Sequence, residues 1–231
     1  MKSIRILVPA LLIVAAVGGV TSATASATTV GIGRCVEHAG GKFTESACLT
    51  QGSGGAFEFE RATKNKLTGK AGNAKGEKTG TTLTVSEVGT VSCKAATSTG
   101  ELASVTKGKM SIDFTGCESS GGSCKTSGAK EGEIAVAGLE MTLLEGGLLT
   151  LGLPAAVKFT CGATSVEVRG QVNCPVKLPT EDAEVSEIEF SCGSGEGEQK
   201  LEANFSGKGF KPATQTGVGT VKFEEKLLVM G

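Results

Sequence analysis

The chain has 231 residues, with 23 basic and 24 acidic side chains and a net charge of −1. That balance excludes the concentrated basic face needed to hold nucleic acid or an anionic membrane surface. Glycine, at 35 residues, is about twice its usual share, while proline is limited to 5, which excludes collagen and a proline-rich stalk. Trp and Tyr are absent, so nine Phe carry the whole aromatic contribution to the core.

Lys2 and Arg5 precede an almost wholly apolar run from Ile6 to Val20, which ends in the small residues Thr21 to Thr29. This is the three-part layout of a secretory signal. The run contains Pro9 and falls short of the roughly 20 residues a spanning helix needs. Residues 1–27 therefore read as a cleaved signal peptide rather than a retained anchor. Two A-x-A sites overlap, ending at Ala25 and at Ala27; cleavage is expected after Ala27, with Ala25 as the alternative. The first cysteine of the remaining chain, Cys35, follows Arg34 rather than a small residue, which speaks against a lipid anchor. The expected product is secreted, without stable membrane insertion.

Residues 28–60 read as a small N-terminal module in which Cys35 and Cys48 bracket His38, a Gly40-Gly41 turn and Phe43. At its end, Phe57, Glu58, Phe59 and Glu60 alternate apolar and polar, the period of a half-buried strand. Residues 61–82, RATKNKLTGKAGNAKGEKTGTT, are nearly devoid of large apolar side chains and read as a flexible linker or exposed loop.

Residues 83–231 read as the main β domain. LTVSEV, SIDFTG, EIAVAG, AVKFTC, SVEVRGQV, VSEIEFSC and VKFEEKLLVM are short strand-favouring runs separated by Gly, Ser and Asn. The nearest approach to a helical stripe, GLEMTLLEGGLLTLGL, is interrupted by glycines and reads better as two strands joined at Gly146-Gly147. The fold class expected is all-β, a disulfide-stapled β-sandwich or barrel with a small cysteine-bracketed N-terminal module. A faint echo relates Cys93-KAATS and SIDFTGCESSGG to Cys161-GATS and EIEFSCGSGEG; shared composition of Ser/Thr/Gly-rich strands accounts for it better than duplication.

The string FTGCESSGGSC, followed by GEI at 132–134, KFTCG and VEVRGQV, resembles a group of uncharacterised exported proteins of high-GC Gram-positive bacteria. The resemblance covers most of the chain from Cys35 and implies export and β structure, without an activity. Cys174 and Cys192 are additional to the pattern of that group, which implies that they pair with each other.

Eight cysteines, Cys35, Cys48, Cys93, Cys117, Cys124, Cys161, Cys174 and Cys192, behind an export signal read as four disulfides. They permit 105 connectivities, so locality must choose. Cys35 and Cys48 are alone in the first module. Cys117 and Cys124 flank the turn-rich ESSGGS, Cys174 and Cys192 bracket Pro175 and Pro179, and Cys93 with Cys161 is left as the long-range closure.

Catalytic sets are hard to assemble. His38 is the only imidazole and no G-x-S-x-G elbow occurs. Ser104-x-x-Lys107, Ser127-x-x-Lys130 and Lys78-Thr79-Gly80 match fragments of the penicillin-binding signature, but in the wrong order and without S-D-N. With one His, no C-x-x-C and Asp only at 113 and 182, neither a zinc site nor a D-x-D-x-D-G calcium loop is expected. Glu196-Gly197-Glu198 reads as a solvated acidic turn, and no Gly-Lys pair continues into a phosphate-binding loop. No cofactor is expected.

The expected function is that of a non-enzymatic extracellular or cell-envelope protein, a binding or structural module whose partner would be a cell-wall or extracellular macromolecule. A glycan hydrolase using two carboxylates is the first alternative; the lack of Trp and Tyr for stacking on sugars counts against it. A protease inhibitor displaying Glu118 to Ser123 is the second.

Overall fold

The computed structural model describes residues 31–61, 64–72, 80–104, 106–144, 147–179, 183–193 and 199–230. Residues 1–30, with the expected signal segment and cleavage sites, and Lys78-Thr79, Gly146, Asp182 and Glu196 to Glu198 lie outside them. Among the described residues every regular element is a strand. In chain order they are β1 (Gly31–Phe43), β2 (Gln51–Arg61), β3 (Asn65–Gly72), β4 (Thr81–Val85), β5 (Gly89–Cys93) and β6 (Ala95–Leu102). β7 (Lys107–Thr115), β8 (Glu118–Ser119), β9 (Gly122–Thr126), β10 (Glu133–Leu144) and β11 (Leu148–Gly152) follow. The chain ends with β12 (Val157–Cys161), β13 (Thr164–Lys177), β14 (Ala183–Cys192), β15 (Lys200–Phe205) and β16 (Lys211–Met230). The fold is all-β with four disulfides.

All pairings are antiparallel and they close into two circuits that share β13 and β16. One runs β16-β3-β6-β7-β10-β11-β13-β14 and back to β16. The other runs β16-β4-β5-β8-β9-β12-β13-β15 and back to β16. Because β5 continues into β6 through Lys94, and β7 into β8 through Gly116 and Cys117, the circuits are two tiers of one barrel-like ring. Closing a sheet in this way leaves few open edges for aggregation.

β13 passes from one tier to the other at Gly170. On one edge its partner changes there from β12 to β11, and Leu153 N–H donates to Gly170 O at 2.9 Å. Gly170 has φ +104°, and a Cβ would lie 1.9 Å from Lys200 O on β15. Only glycine fits such a corner.

Alternation does the rest. Along β13, Val166, Val168, Val172, Cys174 and Val176 are buried, with more exposed residues between them. Outside, register aligns Glu224, Lys66, Glu101, Lys109 and Glu140 across β16, β3, β6, β7 and β10. Opposite charges on neighbouring strands keep that face solvated and set its register.

The stretch 61–82 differs from expectation: Asn65–Gly72 is a ring strand, β3, lying between β16 and β6. Its inward residues are Asn65, Leu67, Gly69 and Ala71, while Lys66, Thr68 and Lys70 face out. With a single large apolar side chain inside, the alternation has no hydrophobic signature to read. Asn65 is buried and pairs with backbone, donating from Nδ2 to Glu225 O at 2.7 Å and accepting at Oδ1 from Glu225 N–H at 3.2 Å. It thereby satisfies β16 between the segment paired with β3 and the segment paired with β1.

β1 and β2 form a hairpin that pairs with the ring through Gly31 to Gly33 against Met230 to Leu228, with Arg34 ion-paired to Glu225 of β16 at 3.4 Å. Phe43 and Cys48 are buried with Leu228, and Cys35, Phe57 and Phe59 pack against them. The GLEMTLLEGGLLTLGL segment is the β10–β11 hairpin. The echo is only partial: Cys93 leads through an in-line bend into β6, whereas Cys161 leads into the tight turn at Gly162.

The bridges are Cys35–Cys48, Cys93–Cys117, Cys124–Cys161 and Cys174–Cys192. The first and last agree with the reading by locality. The pairing of Cys117 with Cys124 and of Cys93 with Cys161 is corrected. Cys93, Cys117, Cys124 and Cys161 occupy one register row across β5, the start of β8, β9 and β12. Strands lie about 4.8 Å apart, so Cys93 and Cys161 at the two ends of the row exceed the roughly 7 Å limit for a bridge. Bonding each outer cysteine to its inner neighbour resolves the row, with Cα atoms 3.9 Å apart in both pairs.

Candidate functional site: an apolar cavity inside the ring

Between the two tiers lies a cavity of about 120 Å³. Small and bulky side chains alternate around it on neighbouring strands: Ala96 stands beside Phe114 and Ser98 beside Ile112 in the β6–β7 register, and Phe190 beside Gly219 in the β14–β16 register. On β3, β6 and β16 the lining residues include Ala71, Ala96, Ser98 and Gly217; on β7, β11, β12 and β14 they are Ile112, Phe114, Leu151, Phe159 and Phe190. Small residues set among bulky ones leave space that close packing otherwise fills. Phe114 and Phe190 face inward but are only partly buried, so part of each ring is presented to the cavity. Cys93, at one end of the cysteine row, also lines it, and Cys117, Cys124 and Cys161 of that row are fully buried. A smaller space of about 30 Å³ lies among Leu67, Leu102, Met141, Leu178 and Phe223.

No carboxylate lines either space. The polar lining residues of the larger one are Lys70, Thr81, Thr82, Thr97, Ser98 and Gln215, of which Thr81 and Ser98 hold inward positions on β4 and β6. Thr81 is 6% exposed, and its hydroxyl has no hydrogen-bond partner among the described residues. Gln199 holds this wall of the ring together, its Nε2 donating to Gln215 O and its Oε1 accepting from Gln215 N–H, both at 2.7 Å.

The residues weighed for chemistry lie elsewhere. His38 is exposed on β1. Ser104 closes the β6–β7 turn, its Oγ accepting from Lys107 N–H at 3.1 Å. Ser127 and Lys130 lie in the β9–β10 connection, where Glu133 N–H donates to Lys130 O. Glu184, Glu187 and Glu202 are ion-paired with Lys226, Lys222 and Arg169 on the outer face. The Glu118 to Ser123 segment is a short hairpin, β8–β9, whose flanking cysteines bond to different strands rather than to each other. Among the described residues no three His, Cys, Asp or Glu side chains are grouped to hold a metal ion, and no helix is long and apolar enough to cross a membrane.

The cavity was hidden in the sequence because it is made by the small residues of β3 and β6, which carry no motif. The one available signal was TTLTV, β4, where Thr81 occupies an inward position that a Val would fill. No protein-family model, no curated protein and no solved structure matches this chain.

Proposed function

We propose that this chain is a secreted, non-enzymatic binding protein that carries a small apolar ligand inside its ring of strands. The cavity of about 120 Å³ walled by Phe, Ile and Leu carries this reading. An apolar cavity of about 150 Å³ in a folded protein takes up benzene, so the present one suits a ligand of about six heavy atoms. Most ligand pockets combine such apolar walls with a few placed polar groups. Four disulfides and the N-terminal signal pattern support an oxidising compartment outside the cytosol.

Calorimetric melting with and without benzene tests the binding. Saturating benzene should raise Tm in the wild type, because a ligand bound only to the native state stabilises it by mass action. It should not do so in Ala96→Leu, which fills the cavity. Absence of any rise in the wild type would remove the reading. Export is tested by N-terminal sequencing of protein recovered from the medium, which should begin at Thr28, or at Ser26 if the upstream site is used; Met1 on that protein would refute it.

A further inference from the structure

We propose that Cys93, Cys117, Cys124 and Cys161 form a redox-sensitive switch, in which loss of one outer partner moves the remaining bridge to the inner pair, Cys117–Cys124. The switch is independent of the cavity and of any ligand. The four cysteines are buried and stand in one register row across β5, the start of β8, β9 and β12. Residues directly opposed on antiparallel strands share a face, with Cβ atoms about 4.5–5.5 Å apart. Each inner cysteine therefore has two neighbours within reach of its sulfur. A disulfide isomerises when a thiolate attacks one of its sulfurs. A thiolate at Cys117 has such a target in Cys124, whose N–H donates to Cys117 O at 2.9 Å and whose sulfur is bonded to Cys161.

The row is weakest at β8. This strand has two residues and pairs with β5 and with β9 by two residue pairs each. Regions held by few contacts open locally at low free energy, and opening of β8 exposes the Cys93–Cys117 bridge. The reductant is a dithiol. One of its thiolates attacks the bridge to give a mixed disulfide, and the second closes on the first, leaving thiols at Cys93 and Cys117. When β8 returns, the Cys117 thiolate attacks Cys124 Sγ. The Cys117–Cys124 bond forms and Cys161 leaves as a thiolate, which takes up a proton. In sum one dithiol becomes a disulfide, and the row passes from two bridges to one with thiols at Cys93 and Cys161. The inner bridge spans only ESSGGS, whereas Cys124–Cys161 has a sequence separation of 37, and the shorter loop costs less entropy to close. Reduction of one bridge thus removes the covalent tie on both sides of the β8–β9 hairpin. The circuit is then held there by two residue pairs with β5 and three between β9 and β12.

Cys93→Ser frees Cys117 without any reductant. After acid quenching and alkylation, its tryptic map should contain residues 110–125 with an internal bridge, and Cys161 alkylated. Hydrogen exchange should rise in β12 as well as in β5, since deletion of Cys93 alone would loosen only β5. Alkylated Cys117 with Cys124 still joined to Cys161, or β12 protected as in the wild type, would overturn the proposal. Where that variant does not fold, the wild type titrated with dithiothreitol decides. Molecules that have lost one bridge of the row should carry Cys117–Cys124, with Cys93 and Cys161 alkylated. Retention of Cys124–Cys161 until both bridges of the row are reduced would overturn it.

Discussion

Cys117 and Cys124 face each other across the β8–β9 hairpin, with Cys124 N–H donating to Cys117 O at 2.9 Å, yet each is bonded away from the other. Cys117 reaches back to Cys93 and Cys124 forward to Cys161, so two covalent links tie four adjacent strands. A bridge between Cys117 and Cys124 would have closed only a hairpin that the turn already closes.

The two arrangements give different tryptic maps without reduction. Residues 110–125 contain both inner cysteines and no internal Lys or Arg. The observed pairing should yield that peptide joined to the peptides carrying Cys93 and Cys161. Further cleavage after Glu118 should then separate the Cys93–Cys117 pair from the Cys124–Cys161 pair. A free 110–125 peptide with an internal bridge would refute the assignment.

Gly170 and Gly40 separate two costs that glycine avoids. Both have positive φ, but a Cβ at Gly40 meets nothing within 4 Å, whereas at Gly170 it collides with Lys200 O. Gly40→Ala should cost the hairpin about 1 kcal/mol, the conformational term alone, read as faster hydrogen exchange of the β1–β2 amides. Gly170→Ala adds a backbone clash at the corner shared by both tiers and should cost several times more, read as denaturant midpoints at constant m. Equal costs would mean that β13 shifts freely at its corner.

Thr81→Val should raise the stability of the ligand-free protein by about 1 kcal/mol, or about 2–4 °C in Tm for a chain of this size. The sign is the informative part. A threonine whose hydroxyl is satisfied loses stability on this replacement, so a lower Tm would show that Thr81 has a partner.

Asn65→Ala should cost about 1–3 kcal/mol, because it leaves both backbone groups of Glu225 without their partner inside the sheet. Asn65→Asp should cost as much, since a carboxylate cannot donate to Glu225 O. Equal stability of wild type and Asn65→Ala in urea would mean that water replaces the side chain there.

These residues also mark where the sequence can and cannot be read. Strands with Val, Ile and Phe at alternate positions, such as β13 and β14, were legible because their inward faces are apolar. β3 was not, because its inward positions are Asn65, Leu67, Gly69 and Ala71, chosen for close approach and for the cavity rather than for hydrophobic burial. Local cysteine pairing succeeded at Cys35–Cys48 and Cys174–Cys192. It failed in the row of four, where adjacency in sequence and adjacency in the ring offer different partners. The cavity is lined by residues from strands of both circuits, so no single segment announces it.

The four bridges should differ in what their removal does. Cys35–Cys48 lies in the β1–β2 hairpin, whose contacts with the ring include three residue pairs with β16, the Arg34–Glu225 ion pair and packing on Leu228. Cys174–Cys192 lies inside the ring, linking β13 to β14 at directly opposite positions beyond the Val176–Phe190 pair. A bridge acts chiefly by restricting the unfolded chain and contributes roughly 2–4 kcal/mol, but only to the unit whose unfolding releases it. Replacing Cys35 and Cys48 by Ser should therefore expose the amides of residues 34–60 to hydrogen exchange and leave the main calorimetric transition within about 2 °C. Replacing Cys174 and Cys192 by Ser should lower that transition by about 4–16 °C and raise exchange throughout β13, β14 and β16. The same loss of global Tm from both double variants would show that hairpin and ring unfold as one cooperative unit, with the contact at Leu228 strong enough to couple them.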